Sequence, residues 1–171
     1  MSQSTADRFQ GSDWMDLERQ YEAELHPDQV RVEPDPHARL AALRGDVLRS
    51  VVTAVRDRGR APRVCLYALS VGGVRPSNSL KAAAIFATRS GWQTYGNQQS
   101  FTDPHGAPAP EARPGWGLVR RQISAGYADG VVVATTSVIS PNFEQYEREL
   151  RWFALHRAFV GVIAPSVQGR L

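Results

Sequence analysis

Three stretches carry residue types that can act on a phosphate. Ser70 closes an apolar run and is followed by Val71-Gly72-Gly73-Val74-Arg75. A serine there is a candidate nucleophile and Arg75 a candidate phosphate ligand, while the glycine pair lets backbone amides approach an anion. Thr135-Thr136-Ser137-Val138-Ile139-Ser140 follows a second apolar run and adds Ser137 and Ser140 as phosphate- or ligand-binding candidates. Arg113 stands before Pro114-Gly115, at a helix start, as another candidate ligand. The same residues also have a plain structural reading, a glycine turn with Ser and Thr capping helices, since neither stretch is a P-loop or a G-x-G-x-x-G fingerprint. The histidines at 26, 37, 105 and 156 lack metal-ligand spacing. The single cysteine, Cys65, lies mid-strand as a small hydrophobe. No metal and no cofactor is implied.

These groups need elements to hold them. Leu40, Leu43, Val47, Val51 and Val55 form the apolar stripe of a helix over about 37–58, widened by Leu48 and Val52 and stopped by Gly59. Val64 to Leu69 reads as a strand, and Ser77, Asn78 or Ser79 as the cap of a helix that Gly91 closes. Gln93 to Phe101 holds a second strand, and His105 to Ala112 is a loop. A helix then opens near Pro114 with Trp116, Val119 and Ile123 on its face. Val131 to Thr135 is a continuous apolar strand of the kind buried on both faces. Ser140-Pro141 starts a helix burying Phe143, Tyr146, Leu150 and Phe153, with Glu144–Arg148 and Glu147–Arg151 as i,i+4 pairs. Phe159 to Ala164 is the last strand. The alternation predicts an α/β domain: a small, mostly parallel four-stranded sheet flanked by helices, with an N-terminal helical extension. Its strand ends, where α/β sheets bind ligands, are residues 70–75, 135–140 and Pro165-Ser166.

The chain has 171 residues, with 42% hydrophobic and 22% charged positions. It contains no apolar run of about 18 residues, and Met1 to Glu24 is polar and acidic, unlike a signal peptide. The expectation is a soluble, cytoplasmic protein with no membrane association. Nineteen of the twenty basic residues are arginine, Lys81 being the exception, and the charge is unevenly placed. Residues 1–36 carry nine acids against three arginines, a net of −6, and hold one short helix with Trp14, Leu17, Tyr21 and Leu25 on one face. Residues 37–63 carry seven arginines against Asp46 and Asp57, a net of +5. The organisation expected is an acidic segment over 1–36, an arginine-rich amphipathic helix over 37–62 and an α/β domain over 63–171. The acidic and basic segments can pair within the chain or with a partner, and the arginine helix can also meet a nucleic acid.

Five short motifs suggest a family. Tyr67-Ala68-Leu69-Ser70, Ser79-Leu80, Ser100-Phe101-Thr102-Asp103, Arg113-Pro114-Gly115-Trp116 and Gly126…Asp129-Gly130-Val131-Val132-Val133 occur in that order over about residues 63–165. Together they resemble the catalytic domain of serine recombinases, the resolvases and invertases. That resemblance implies a resolvase-like fold and a serine that attacks a DNA phosphodiester while arginines stabilise the charge on the phosphate. It makes Ser70 the aligned nucleophile. The chain departs from the family where the chemistry lies. The family's strand-one Y-A-R-V-S becomes Tyr67-Ala68-Leu69-Ser70, one residue short and without its arginine. Its D-R-L-x-R run falls on Ser137-Val138-Ile139-Ser140-Pro141, again without arginine. The family continues into a fifth strand, a long helix and a DNA-binding module, whereas seven residues follow Ala164 here.

The expectation is a non-catalytic, recombinase-like domain acting as a protein-interaction or regulatory module. Its partner is another protein or a second copy, docking on the N-terminal helices or on the sheet edge. Two alternatives stand beside it: DNA binding through the arginine-rich 37–63 helix, and residual phosphoryl-transfer activity through Ser70.

Overall fold

An aspartate cap and a proline in the first turn start the helix α1 (Pro36–Asp57), with the Asp35 carboxylate accepting from the His37 amide at 3.0 Å. The computed structural model describes residue 21, residues 35–95 and residues 99–164. Apart from Tyr21, the expected short helix carrying Trp14, Leu17 and Leu25 lies outside these residues, as does Pro165-Ser166. The chain divides into two units, Met1–Pro34 and Asp35–Leu171. The second unit contains all that follows.

After α1 come β1 (Val64–Ser70), α2 (Ser77–Arg89), β2 (Ser100–Pro104), α3 (Pro114–Ser124), β3 (Gly130–Val133), the short α4 (Thr136–Ile139), α5 (Phe143–Leu155) and β4 (Phe159–Val162). The sheet is four-stranded, in the order β2-β1-β3-β4, and every pairing is parallel. Among the described residues no helix is long and apolar enough to cross a membrane.

Several boundaries differ from the sequence expectation. The second strand begins at Ser100, pairing Leu66 with Ser100 through Ser70 with Pro104, while Gln93 makes only an isolated bridge to Arg63. The register follows Phe101, which packs on the core, and Asp103, whose carboxylate finds donors inside. Helix α2 takes Pro76 as its N-cap, with no side-chain cap from the three polar residues expected there. Helix α5 starts at Phe143, because the Asn142 side chain accepts from the Gln145 amide at 3.0 Å. Ser140-Pro141 lies before it, and residues 136–139 form the short α4 where the sequence pattern reads as loop. Of the two expected pairs on α5, Arg151 meets Glu147 at 2.9 Å, whereas Arg148 lies 3.8 Å from Glu111.

Alternation along the strands divides the core between two faces. Cys65, Tyr67, Val131, Val133 and Val160 pack with Trp116, Val119 and Ile123 of α3 and Leu150 and Phe153 of α5. Burial pushes the Cys65 thiol up to about 12, so it stays protonated as an apolar filler. On this face the Trp116 indole donates to the buried Glu149 carboxylate at 2.7 Å. Arg120 lies 3.8 Å from that carboxylate and stacks over Trp152. The opposite face joins Val64, Leu66, Ala68, Val132 and Phe159 to Leu80, Ala83 and Ala87 of α2 and to Trp92.

Helix α1 belongs to both faces. Leu40 and Leu43 pack into the first cluster, while Val47, Leu48, Val51, Val52 and Val55 pack into the second. At 1.5 Å per residue its 22 residues span about 33 Å. That is enough to run past β4 from one side of the sheet to the other. Of the sheet's two edges, β2 and β4, the β4 edge is therefore flanked by α1.

At the opposite end of the strands, Asp129 anchors the return from α1. Arg60 grips it through two bonds of 2.6 and 2.8 Å, and the Arg63 amide donates to it at 2.9 Å. Burial alone would raise this carboxyl, but the bonds from Arg60 and Arg63 outweigh it and hold the group below its usual range.

Two measurements check this packing. Leu40→Ala and Val55→Ala should each cost about 2–4 kcal/mol in urea unfolding, while Arg39→Ala on the exposed face should change stability by less than about 0.5 kcal/mol. A lowered folded-state pKa stabilises the fold above the unfolded value and loses that contribution as pH falls through the folded value. Asp129→Asn should therefore destabilise the protein near neutral pH, and its deficit against wild type should shrink as pH drops below about 4.

Candidate functional site

The chain leaves β1 toward β2 on one side and reaches β3 and β4 on the other, so the switch in strand order lies between β1 and β3. The loops after β1, β2 and β3 surround that point, where a parallel sheet offers a ligand crevice. Ser70 is the last residue of β1 and is half-buried. Its hydroxyl donates to the Asp103 backbone carbonyl at 3.4 Å, and its own carbonyl accepts from the His105 amide at 2.6 Å. Gly72 and Gly73 follow with φ of +62° and +72°. Flanking them, the Val74 amide donates to the Val71 carbonyl at 3.2 Å. Two successive left-handed residues make a tight reverse turn, and only glycine adopts them without strain. The turn accounts for the glycine pair.

The strand-end region is organised by Asp103, which the sequence places in a motif without assigning it a role. Asp103 is 3% exposed. One carboxylate oxygen accepts from the Gly115 amide at 2.8 Å, and the other accepts from the Trp116 amide at 2.8 Å and the Tyr67 hydroxyl at 2.7 Å. A strand residue thus satisfies the first-turn donors of α3, which has no side-chain cap from its own N-cap residue Arg113. Burial, then the bond to Asp103, raises the Tyr67 phenol well above its ordinary value and keeps it a neutral donor. Helix α3 comes so close to β2 that a Cβ on Gly115 would stand 2.8 Å from the Asp103 carboxylate and closer still to the Thr102 carbonyl. Only glycine fits there.

Arg113, the residue before α3, is 6% exposed. Its guanidinium donates to the Pro108 carbonyl at 2.8 Å and the Val138 carbonyl at 2.9 Å. It bridges the loop after β2 to the helix after β3.

Ser140 is buried, accepting from the Asn142 amide at 3.1 Å and donating to the Gln145 side chain at 2.8 Å. The Ser137 hydroxyl shares a 2.8 Å bond with Thr135. Both serines line a cleft of about 310 Å³ whose other wall is the start of α1, with Asp35, His37 and Arg44. Arg44 donates to the Tyr146 hydroxyl at 2.8 Å. Burial raises the Tyr146 phenol, and Arg44 opposes that shift. Arg75 lines a different cleft, of about 290 Å³, beside α2. Ser70 and Arg113 line neither of these two clefts. Among the described residues no three His, Cys, Asp or Glu side chains cluster as metal ligands would.

No protein-family model matches the chain, and no curated protein matches its sequence. Solved structures similar to it include the C-terminal catalytic domain of ISC1926 TnpA, an IS607-like serine recombinase. That pair shares 17% identity over 61% of this chain and 72% of that one, with a TM-score of 0.49. The N-terminal catalytic domain of TP901-1 integrase shares 18% identity over 59% of this chain and 76% of its own, with a TM-score of 0.45. A serine recombinase from Sulfolobus solfataricus shares 18% identity over 64% and 72%, with a TM-score of 0.44.

The Asp103 cap makes a graded prediction. Asp103→Ala strands three buried donors and should cost about 3–5 kcal/mol, whereas Tyr67→Phe removes one bond and should cost about 1–2 kcal/mol. Chemical denaturation of the two variants checks the order.

Proposed function

We propose that this recombinase-like α/β domain performs no DNA strand transfer and acts as a protein-interaction or regulatory module. The observation that carries the reading is the engagement of Arg113. Serine-mediated phosphoryl transfer needs a base for the hydroxyl and cations on the non-bridging oxygens. Here the buried arginine at the strand ends donates to two backbone carbonyls, and the Ser70 hydroxyl donates to a third. The segment after β3 carries no cation between Val133 and Pro141. Losing one charge-stabilising donor typically costs about 10²–10³ in rate, and several are missing relative to the resembling family.

DNA binding through the 37–63 arginines has weaker support. Arg60 and Arg63 hold Asp129, Arg44 holds Tyr146, and Arg49 pairs with Asp46. A partner or second copy remains the favoured ligand of the module. The acidic 1–34 segment can be removed without cutting into α1, whose apolar face belongs to the core of the second unit.

The test is incubation with supercoiled DNA followed by denaturing electrophoresis. Wild type and Ser70→Ala should both leave the DNA intact and free of covalent protein. A covalent adduct that disappears in Ser70→Ala overturns the reading.

A further inference from the structure

Residues 58–102 contain no acidic residue, yet they carry Arg58, Arg60, Arg63, Arg75, Lys81 and Arg89. The fold sorts these six cations into two sets. Arg60 and Arg63 turn to Asp129, and Arg58 donates to the Ala54 carbonyl. Arg75, Lys81 and Arg89 have no acidic partner among the described residues. Lys81 and Arg89 lie on α2 and Arg75 just before it, on the side of the sheet away from α3 and α5.

Two of them meet at a concavity. Arg75, Ser77, Lys81, Thr94 and Ser100 surround the cleft of about 290 Å³, and Leu66 and Leu80 lie at its floor. A shallower concavity continues from Lys81 along α2 to Thr88 and Arg89. Among the described residues no carboxylate lines either one. Paired surface arginines elsewhere in the molecule are neutralised locally, as Arg49 is by Asp46 and Arg151 by Glu147. Here two like charges border one hollow with only hydroxyls and apolar groups between them. An anion entering it gains both charges, and the Ser77 and Thr94 hydroxyls supply neutral donors.

We propose that this cleft binds the terminal phosphate of a small phosphomonoester, with Arg75 and Lys81 as its charge partners and the rest of the molecule over Leu66 and Leu80. A terminal phosphate carries between one and two negative charges at neutral pH, matching two cations, and has three oxygens to share among the hydroxyls. The cleft is near the lower size limit of small-molecule sites, which favours a compact ligand over a chain of phosphodiesters. The site is on the opposite face of the sheet from the Arg113 bridge and stands independently of the absence of strand-transfer chemistry.

The experiment is a titration of the isotope-labelled full chain followed by amide chemical shifts, in about 150 mM salt to screen loose ion pairing. The probes are inorganic phosphate, a nucleoside 5′-monophosphate and a short single-stranded oligonucleotide lacking terminal phosphates. Saturable shifts around residues 75–84, 94 and 100 with the monophosphate are expected. Arg75→Gln and Lys81→Gln should each weaken them about tenfold or more, as loss of a charge-assisted bond implies, while Arg39→Gln leaves them unchanged. Arg75 and Lys81 are exposed, so the variants should keep the wild-type spectrum elsewhere. The proposal is overturned if the monophosphate produces no saturable shift, if the oligonucleotide alone saturates these resonances, or if the double variant binds as wild type does.

Discussion

The carboxylate of Asp103 ties three elements together. It receives the Tyr67 hydroxyl from β1 and the first-turn amides of α3, while its own backbone extends β2. A buried carboxylate is costly unless its oxygens are occupied, and here three donors occupy them. The arrangement sets the height of α3 over the sheet, and that closeness is why position 115 must be glycine. Trp116, seated by the same bond, then packs against Tyr67 and Phe153 and donates to Glu149 on α5. One side of the molecule is thus assembled around a single acid.

Helix α1 performs the corresponding service for the sheet edge. Its apolar stripe changes partners halfway along, from the α5 side of the sheet to the α2 side, as the helix passes β4. Covering an edge by a helix removes the strand's capacity to recruit another strand. The start of α1 also forms a wall of the cleft that holds Ser137 and Ser140.

Polar groups at the strand ends are engaged mainly with the protein itself. Ser70, Arg113 and Ser140 bond to backbone or to neighbouring side chains and hold loops in place. Such contacts hold the loops at the strand ends to the scaffold. Arg75, Lys81 and Arg89, which have no acidic partner among the described residues, lie beside α2 in a stretch from which acids are absent.

The alternating α/β order, the faces of α1 and α3 and the continuous burial of β3 were legible in the sequence, because periodicity and Pro/Gly punctuation are local signals. The Trp116, Val119 and Ile123 face matches the buried set of α3. Strand β2 was misplaced because its polar approach and short apolar content give no period, and its position is set by pairing with β1. The roles of Asp103 and Arg113 were not legible. Asp103 lies twelve residues from the amide it caps, and Arg113 twenty-five from Val138. Neither spacing is a motif. Sequence alone determined which residues could meet a phosphate and where acids are missing. Only tertiary structure decided which of those cations were already neutralised, because a guanidinium's availability depends on the carbonyls and carboxylates that folding brings to it.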